Sequence, residues 1–226
     1  MDLFTAQRRP TLSIIGTAGR KDDGPRITRR LVGGMYDWTL RTIAEWRVRH
    51  GVSGGAAVAD HMAVMAYLDK ELDGLILHLP AEFHRGRFVE KTGDRFDPGR
   101  TANYYHAMFS TAVGTDSLAQ IARAIEKGAS VTVGAGFKSR NTTVANDSTH
   151  MLAFTFGTDA APADLRLGDA GFLDPEVAGL RDPGTADTYG KARDCIVKRH
   201  VSLSWLGRLM EAVAAAEEES TAPEPF

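Results

Sequence analysis

Three glycine-bearing segments stand just before predicted helices and contain the residue types of a phosphate-binding turn. They are Gly16-Thr17-Ala18-Gly19-Arg20, Ser53-Gly54-Gly55-Ala56 and Pro183-Gly184-Thr185-Ala186-Asp187-Thr188. The first two also follow predicted strands. Glycine lets backbone N–H groups approach a phosphate at the positive end of a helix. We therefore predict that the three turns line one ligand site, although a turn glycine is also needed for folding alone.

Carboxylates lie inside these segments or just downstream of them. Asp60 and Asp147 follow glycine-containing turns, and Asp187 lies within the third segment. Such groups accept hydrogen bonds from ribose hydroxyls or act as general acids and bases. Complementarity to a helix dipole explains any one of them equally well. We take Asp187 and Asp60 as the candidate catalytic residues.

The segment 134–141 combines a flexible backbone with two cations and an amide. Arg140 has the fork geometry that binds a phosphate or a carboxylate with two hydrogen bonds, and Asn141 both donates and accepts, as a sugar hydroxyl or base edge requires. The alternative is a solvated loop with a helix cap. We include Arg140 and Asn141 among the candidate ligand-binding residues.

The sequence lacks several familiar nucleotide-binding, catalytic and metal-binding motifs. Neither the P-loop pattern nor the G-x-G-x-x-G fingerprint is present, and Ser53 does not fit the hydrolase pattern G-x-S-x-G. The seven histidines include no H-E-x-x-H, and the single cysteine, Cys195, has no partner for an internal disulfide. We therefore expect a reducing compartment, no metal and no cofactor.

The charge balance argues against a polyanionic partner. Lys and Arg number 27 and Asp and Glu 29, giving a net charge of −2, so no broad basic field attracts nucleic acid or a membrane surface. The first apolar run, 12–16, is too short for a signal sequence or a spanning helix. We expect a soluble, cytoplasmic protein.

Elements that position these residues follow from the apolar pattern. Strands are predicted at 11–15, 74–79, 130–133, 151–156 and 197–203, and 46–52 reads as a strand or as a continued helix. Helices are predicted at 35–45, 56–72, 115–127, 139–147, 185–195 and 205–219. This alternation favours an α/β fold with a mostly parallel sheet and helices on both faces.

Two long segments interrupt that rhythm. Residues 81–101 and 157–183 are polar and read as loops, and the last residues, STAPEPF, are expected to fray. Cations and two tyrosines in 81–111 suit a lid over an anionic ligand, a subunit contact or a solvated loop. We predict one domain over 1–226, with an insertion at about 81–130.

The order of these segments resembles a known family. The matching residues are Ile15-Gly16-Thr17, Val52-Ser53-Gly54-Gly55-Ala56, Ala59-Asp60-His61-Met62-Ala63, Leu79-Pro80-Ala81-Glu82-Phe83, Gly136 to Asn141, Ala153-Phe154 and Gly184-Thr185-Ala186-Asp187-Thr188. Together they resemble the SLOG superfamily, most of all its YspA/YpsA-type branch, over roughly residues 11–203. The resemblance implies a Rossmann-like sheet and a nucleotide-derived ligand. Relatives within the superfamily include the LOG cytokinin-activating phosphoribohydrolases and the DNA-binding DprA proteins.

The resemblance also assigns roles by position. It implies a first phosphate-side loop of Gly16, Thr17 and Arg20, a second of Gly54, Gly55 and Asp60, and a last turn of Gly184, Thr185 and Asp187. Arg140 and Asn141 match the Arg-Asn pair that faces the pocket. LOG enzymes carry P-G-G-x-G-T-x-x-E, and here Thr188 stands at the place of the glutamate. An acid role in this chain therefore falls to Asp187 or to another carboxylate.

These observations lead to one principal function and several alternatives. We expect a pocket for a nucleotide or nucleoside derivative, with cleavage or transfer at an N-glycosidic bond if the protein is an enzyme. The alternative is a non-catalytic protein that senses or sequesters a nucleotide signal. A nucleoside deoxyribosyltransferase is a third possibility, but such enzymes use a glutamate nucleophile, and we cannot place one in this sequence. The net charge of −2 makes a DprA-like nucleic-acid role the least favoured, although residues 20–30 are locally basic. Homo-oligomerisation is left open.

Overall fold

The computed structural model describes residues 9–91, 93, 95–180 and 182–221. The strands are β1 (Thr11–Gly16), β2 (His50–Ser53), β3 (Gly74–Leu79), β4 (Phe83–His84), β5 (Arg87–Phe88), β6 (Ser130–Val133), β7 (His150–Thr155), β8 (Asp164–Arg166) and β9 (Val197–Ser202). The α-helices are α1 (Arg29–Trp46), α2 (His61–Leu68), α3 (Pro98–Val113), α4 (Ser117–Glu126), α5 (Phe137–Asp147), α6 (Pro183–Lys191) and α7 (Leu203–Thr221), and a 3-10 helix covers Lys21–Arg26.

Seven strands form one central sheet in the order β6-β3-β2-β1-β7-β9-β8. All neighbouring pairs are parallel except β8 and β9, which are antiparallel. The chain builds outward from β1 through β2, β3 and β6, and then returns to the other side of β1 with β7 and β9. This confirms the predicted α/β, Rossmann-like fold. In such a sheet the strand order reverses between β1 and β7, where ligands commonly bind beyond the carboxyl ends of the strands.

Apolar side chains cover both faces of the sheet. One cluster includes Leu12, Ile14, Met35, Met62, Phe109, Ile121 and Leu206, which come from β1, α1, α2, α3, α4 and α7. The other includes Ile15, Val52, Val144, Met151 and Tyr189, which bring α5 and α6 onto the opposite face. Strand β7 is buried at all six positions, as expected for a central parallel strand covered on both sides. The core therefore fixes the helix starts relative to the strand ends.

Two predicted boundaries are wrong for conformational reasons. Helix α1 continues to Trp46 and ends at the left-handed Arg47, so 46–52 is a strand only from His50 onward. The helix predicted from Ala56 begins instead at His61. Gly55 and Val58 both have positive φ angles, 65° and 64°, which a right-handed helix does not accommodate.

The polar segments contain more regular structure than the sequence indicates. Residues 81–101 include the hairpin β4–β5 and the start of α3, and β8 lies within 157–183. The helix predicted at 185–195 covers Pro183–Lys191. Of the expected frayed tail, residues 222–226 lie outside the described part. Among the described residues, none of the helices is both long and apolar enough to cross a bilayer.

Candidate functional site

A cleft of about 420 Å³ opens at the carboxyl edge of the sheet, where β1, the loop after β2 and the starts of α5 and α6 meet. Nine of the twelve predicted site residues line it: Gly16, Arg20, Gly55, Asp60, Arg140, Asn141, Gly184, Thr185 and Asp187. Thr17, Ser53 and Gly54 are absent from the lining. Residues far apart in sequence thus meet at the crevice that the strand order creates.

Thr17 and Gly16 hold the first loop against β7. The Thr17 backbone N–H donates to the Phe154 carbonyl at 2.9 Å, and the Thr17 hydroxyl donates to Asp23 at 2.6 Å. A Cβ added to Gly16 would lie 2.0 Å from the Phe154 carbonyl oxygen. Thr17 itself is buried. Its hydroxyl therefore shapes the loop from inside, and Gly16 permits the close approach of β1 to β7.

The second loop is closed around Asp60. The Ser53 hydroxyl donates to the Asp60 carbonyl at 2.9 Å and accepts the Gly55 N–H at 3.1 Å. The Asp60 carboxylate accepts backbone N–H groups from Gly54 and Ala56. Ser53 is fully buried. These bonds make Ser53 and Asp60 the framework of this loop.

Asp60 also forms a buried ion pair with Arg140. Arg140 Nη1 lies 2.7 Å from Asp60 Oδ2, and the two side chains are 11% and 4% exposed. Burial raises the pKa of the Asp60 carboxyl, while Arg140 and the two backbone N–H groups oppose that rise. Arg140 Nε is buried and has no hydrogen-bond partner among the described residues. The pair joins the second loop to α5 at the wall of the cleft.

Two aromatic rings hold the exposed Arg20 at the cleft. The Arg20 Cζ atom lies 5.6 Å from the centroid of Tyr105 and 5.5 Å from that of Phe137. The Arg140 Cζ atom lies 5.8 Å from the same Phe137 centroid. Guanidinium groups at such distances are attracted to the ring faces. Phe137, the first residue of α5, is thus flanked by both arginines.

Asp182 caps helix α6 at the opposite wall. Its carboxylate accepts both the N–H and the hydroxyl of Thr185, each at 2.7 Å. The Gly184 carbonyl accepts from the Asn141 amide at 3.3 Å and from the Thr188 hydroxyl at 3.1 Å. Thr188 is buried, so this hydroxyl serves the helix backbone. The third turn is therefore a capped helix start tied to Asn141.

Asp187 differs from the other cleft carboxylates in its exposure. Its side chain is 39% exposed and lies 2.8 Å from Lys191 Nζ, one turn further along α6. An exposed pair of this kind contributes little to stability. The carboxylate is therefore accessible to a ligand in the cleft.

Buried histidines support the second loop from below. His106 Nε2 donates to the Gly55 carbonyl at 3.1 Å, and His106 Nδ1 lies 2.9 Å from the Ser117 hydroxyl. Burial lowers the pKa of His106 to about 4 and that of neighbouring His61 to about 3. Both rings are thus neutral near pH 7. His106 thus connects α3 to the second loop, whereas His61 Nε2 lies 2.7 Å from Gln120 Oε1 of α4 and connects α2 to that helix.

Sequence reasoning missed Asp182 as a site residue. The sequence did contain a pattern that predicts this helix start: Asp182 directly precedes Pro183, and aspartate is a preferred N-cap while proline is a preferred first helical residue. The predicted cation-bearing segment 81–111 contributes Ala102 and Tyr105 to the lining. Its Arg87 pairs instead with Glu90, outside the cleft.

The described residues contain no group of three or more His, Cys, Asp or Glu side chains placed to hold a metal ion. The polar side chains that line the cleft include cations, carboxylates, one amide and the hydroxyl groups of Tyr105, Thr185 and Thr188. Such a set can bind an anionic, hydroxyl-rich molecule through charge-assisted hydrogen bonds.

Fold and site together define a Rossmann-like α/β protein with a cleft at its topological switch point, lined by apolar residues and by several charged ones. The chain is 35% identical over 156 residues to the "Uncharacterized protein R261" of Acanthamoeba polyphaga mimivirus, an alignment that covers 64% of this chain and 81% of the viral protein. The chain belongs to the same protein family as that viral protein. No protein-family model matches the sequence, and no solved structure matches the chain.

Proposed function

We propose that the protein binds a nucleotide or nucleoside derivative in this cleft. The observation that carries the proposal is the meeting of four sequence segments, 16–20, 54–60, 136–141 and 183–188, at one crevice of a Rossmann-like sheet. Cations, an amide and a half-exposed carboxylate there suit a ligand with phosphate and sugar hydroxyls. The resemblance to the SLOG superfamily, which we propose as the wider group, points to the same ligand class.

We further propose that the reaction, if one occurs, is cleavage or transfer at an N-glycosidic bond. Of the two candidate acids, Asp60 is already engaged by Arg140 and by two backbone N–H groups. Asp187 remains accessible on the cleft wall. Asp187 therefore stabilises an oxocarbenium-like sugar or orients the attacking water, while the cleft amides and arginines hold the anionic part.

Incubation of purified protein with nucleoside monophosphates, NAD and ADP-ribose tests the enzymatic proposal. Release of a free base, followed by chromatography, is the expected result. An absence of turnover on the whole panel would remove the enzymatic version and leave the binding proposal to be tested separately.

A second candidate, a non-catalytic sensor or sequestering protein, is favoured by one observation. The place of the LOG glutamate is taken by Thr188, whose hydroxyl is bound to the Gly184 carbonyl. This candidate requires a ligand-induced rise in melting temperature without turnover, because a ligand at about 100 times its dissociation constant adds about 2.7 kcal/mol of stability. A flat melting temperature across the nucleotide panel would reject nucleotide binding in both versions.

Two broader features remain part of this proposal. We place the protein in the cytoplasm because a nucleotide-derived ligand and a single buried cysteine suit a reducing compartment. Homo-oligomerisation is compatible with the fold, and light scattering after size exclusion would measure it.

A further inference from the structure

The backbone N–H groups of two glycine turns are already bound by carboxylates of the protein. Asp60 accepts from Gly54 and Ala56 in the second turn. Asp182 accepts the N–H and the hydroxyl of Thr185 in the third. A phosphate placed at either turn would compete with these bonds and lie beside a like charge, which is unfavourable. The anionic part of a ligand therefore has a better position elsewhere in the cleft.

Two cations of the cleft are available for such an anion. Arg20 and Lys138 both line it and are exposed. Within the described part of the chain, neither lies within ion-pair distance of a carboxylate, whereas Arg140 is paired with Asp60. The rings of Tyr105 and Phe137 limit the freedom of the Arg20 side chain. A restrained guanidinium loses less conformational entropy when it binds an anion.

The first turn of α5 adds to this positive region. It contains no acidic residue, and its N-cap, Gly136, offers no side chain to the free N–H groups. Lys138 and Arg140 stand at this end, although cations are disfavoured at the positive end of a helix dipole. An anion bound there would accept hydrogen bonds from the free N–H groups and would offset the unfavourable placement of the two cations.

We propose that the cleft holds a nucleoside monophosphate whose phosphate lies against Arg20, Lys138 and the first turn of α5, and whose sugar faces Asn141 and Asp187. This inference rests on the proposed nucleotide-binding function and adds where the phosphate lies. The cleft volume of about 420 Å³ is near the small end of the range for ligand sites, roughly 300–1,000 Å³. A mononucleotide suits that volume better than a dinucleotide.

Calorimetric titration with the four common nucleoside 5′-monophosphates and their matching nucleosides tests the position of the phosphate. Arg20→Gln and Lys138→Gln should each weaken the monophosphate about tenfold, as expected for loss of one charge-assisted contact, and leave the nucleoside affinity unchanged. Arg41→Gln is the matched control, since Arg41 is exposed on α1 and outside the cleft lining. All three variants should keep the wild-type melting temperature because the side chains are exposed.

Gly184→Ala distinguishes the α5 position from the third glycine turn. A Cβ at this position meets nothing closer than Asp182 Oδ1 at 3.5 Å, so the fold tolerates it, but it would crowd a phosphate bound to that turn. We expect Gly184→Ala to change the affinities for a monophosphate and for its matching nucleoside by the same factor, so that the preference for phosphate is kept. The inference is overturned, with the proposed function intact, if monophosphates bind but Arg20→Gln and Lys138→Gln behave like Arg41→Gln, or if Gly184→Ala alone loses the preference for phosphate. If the wild type binds none of these nucleosides or monophosphates, this inference fails, and the melting-temperature panel with NAD and ADP-ribose decides the proposed function separately.

Discussion

The guanidinium of Arg140 occupies the space that a side chain at Gly54 would need. A Cβ on Gly54 would lie 1.7 Å from Arg140 Nη1, the atom that is paired with Asp60. Gly54 therefore permits the buried ion pair at the cleft wall, which is a packing role. The same loop could not close around Asp60 with any larger residue at this position.

Gly54→Ala should displace Arg140 and lower the free energy of unfolding by at least about 2 kcal/mol, because a charged hydrogen-bonded pair is lost in a buried site. Chemical denaturation measures this change. Gly33→Ala is the matched control, since Gly33 lies in α1 with nothing within 4 Å of an added Cβ. The control should gain roughly 0.5–1 kcal/mol from the lower backbone entropy of alanine in a helix. Equal effects of the two substitutions would contradict the role assigned to Gly54.

Arg140→Leu should make stability fall more steeply with rising pH. Burial already raises the pKa of Asp60, and removal of Arg140 takes away the largest opposing influence. The folded state then holds the Asp60 proton more tightly than the unfolded state does, so stability decreases as pH rises above the unfolded pKa of about 3.9. Melting temperatures from pH 4 to 7 measure the effect. Asp60→Asn in the Arg140→Leu background should remove the added pH dependence, and a parallel pH profile for wild type and Arg140→Leu would refute the assignment.

Deprotonation of Lys198 should raise its contribution to the free energy of unfolding at mildly alkaline pH. Its amine is fully buried, donates to the carbonyls of Tyr189 and Phe172, and lies over both rings. Burial lowers the pKa of Lys198 to about 8. The unfolded state binds the proton more tightly, so stability increases as pH rises from about 8 toward the unfolded pKa of about 10.4.

The expected gain for Lys198 is about 1 kcal/mol between pH 7.5 and 9. Burial raises the pKa of the Cys195 thiol to about 12, whereas an unfolded cysteine titrates at about 8.5, so Cys195 lowers stability across the same window. Because the wild type and Lys198→Met both contain Cys195, their comparison cancels this contribution. Denaturation of wild type and Lys198→Met across the window isolates the contribution. The free energy of unfolding of the wild type should rise relative to that of Lys198→Met across the window. A constant difference between the two free energies would show that Lys198 does not titrate there.

Asp187→Asn tests the catalytic assignment if N-glycosidic turnover is found. Removal of an acid or base that acts in the transition state should lower turnover about 100-fold or more. Lys191→Gln breaks the same ion pair but keeps the carboxylate, so it should retain activity. The fold should tolerate both changes, since the pair is exposed. A comparable loss in both variants would point to the ion pair, and undiminished activity in Asp187→Asn would assign the chemistry to another group.

Apolar runs and helix periodicity were enough to predict the α/β fold, because those signals are local. The strands at 74–79 and 130–133 match the structure at every position. Of the three glycine turns, only the third lies at the start of an α-helix; the first leads into the 3-10 helix Lys21–Arg26, and α2 begins only at His61, after the second. The parallel sheet nevertheless brings residues of all three turns to one edge. Helix α3 was missed because its polar residues obscure an inward-facing stripe of Ala102, His106, Phe109 and Val113.

The sequence alone could not show that carboxylates of the protein already bind the second and third glycine turns. Asp60 and Arg140 are 80 residues apart, and their pairing depends on the order in which β2, β3 and β6 assemble. Without that contact, Asp60 resembles a free acid and Gly54 a phosphate-binding glycine. Asp182 was detectable as an N-cap, but only the three-dimensional arrangement puts it on the wall of the cleft. Long-range polar contacts thus decide which predicted groups remain accessible to a ligand.

The crystal structure of the protein soaked with nucleoside 5′-monophosphates tests the central claim most directly. We predict density for one nucleotide in the cleft between the starts of α5 and α6, with its phosphate within hydrogen-bond distance of Arg20 or Lys138. A cleft that stays empty at saturating nucleotide, or density confined to another part of the molecule, would contradict the account.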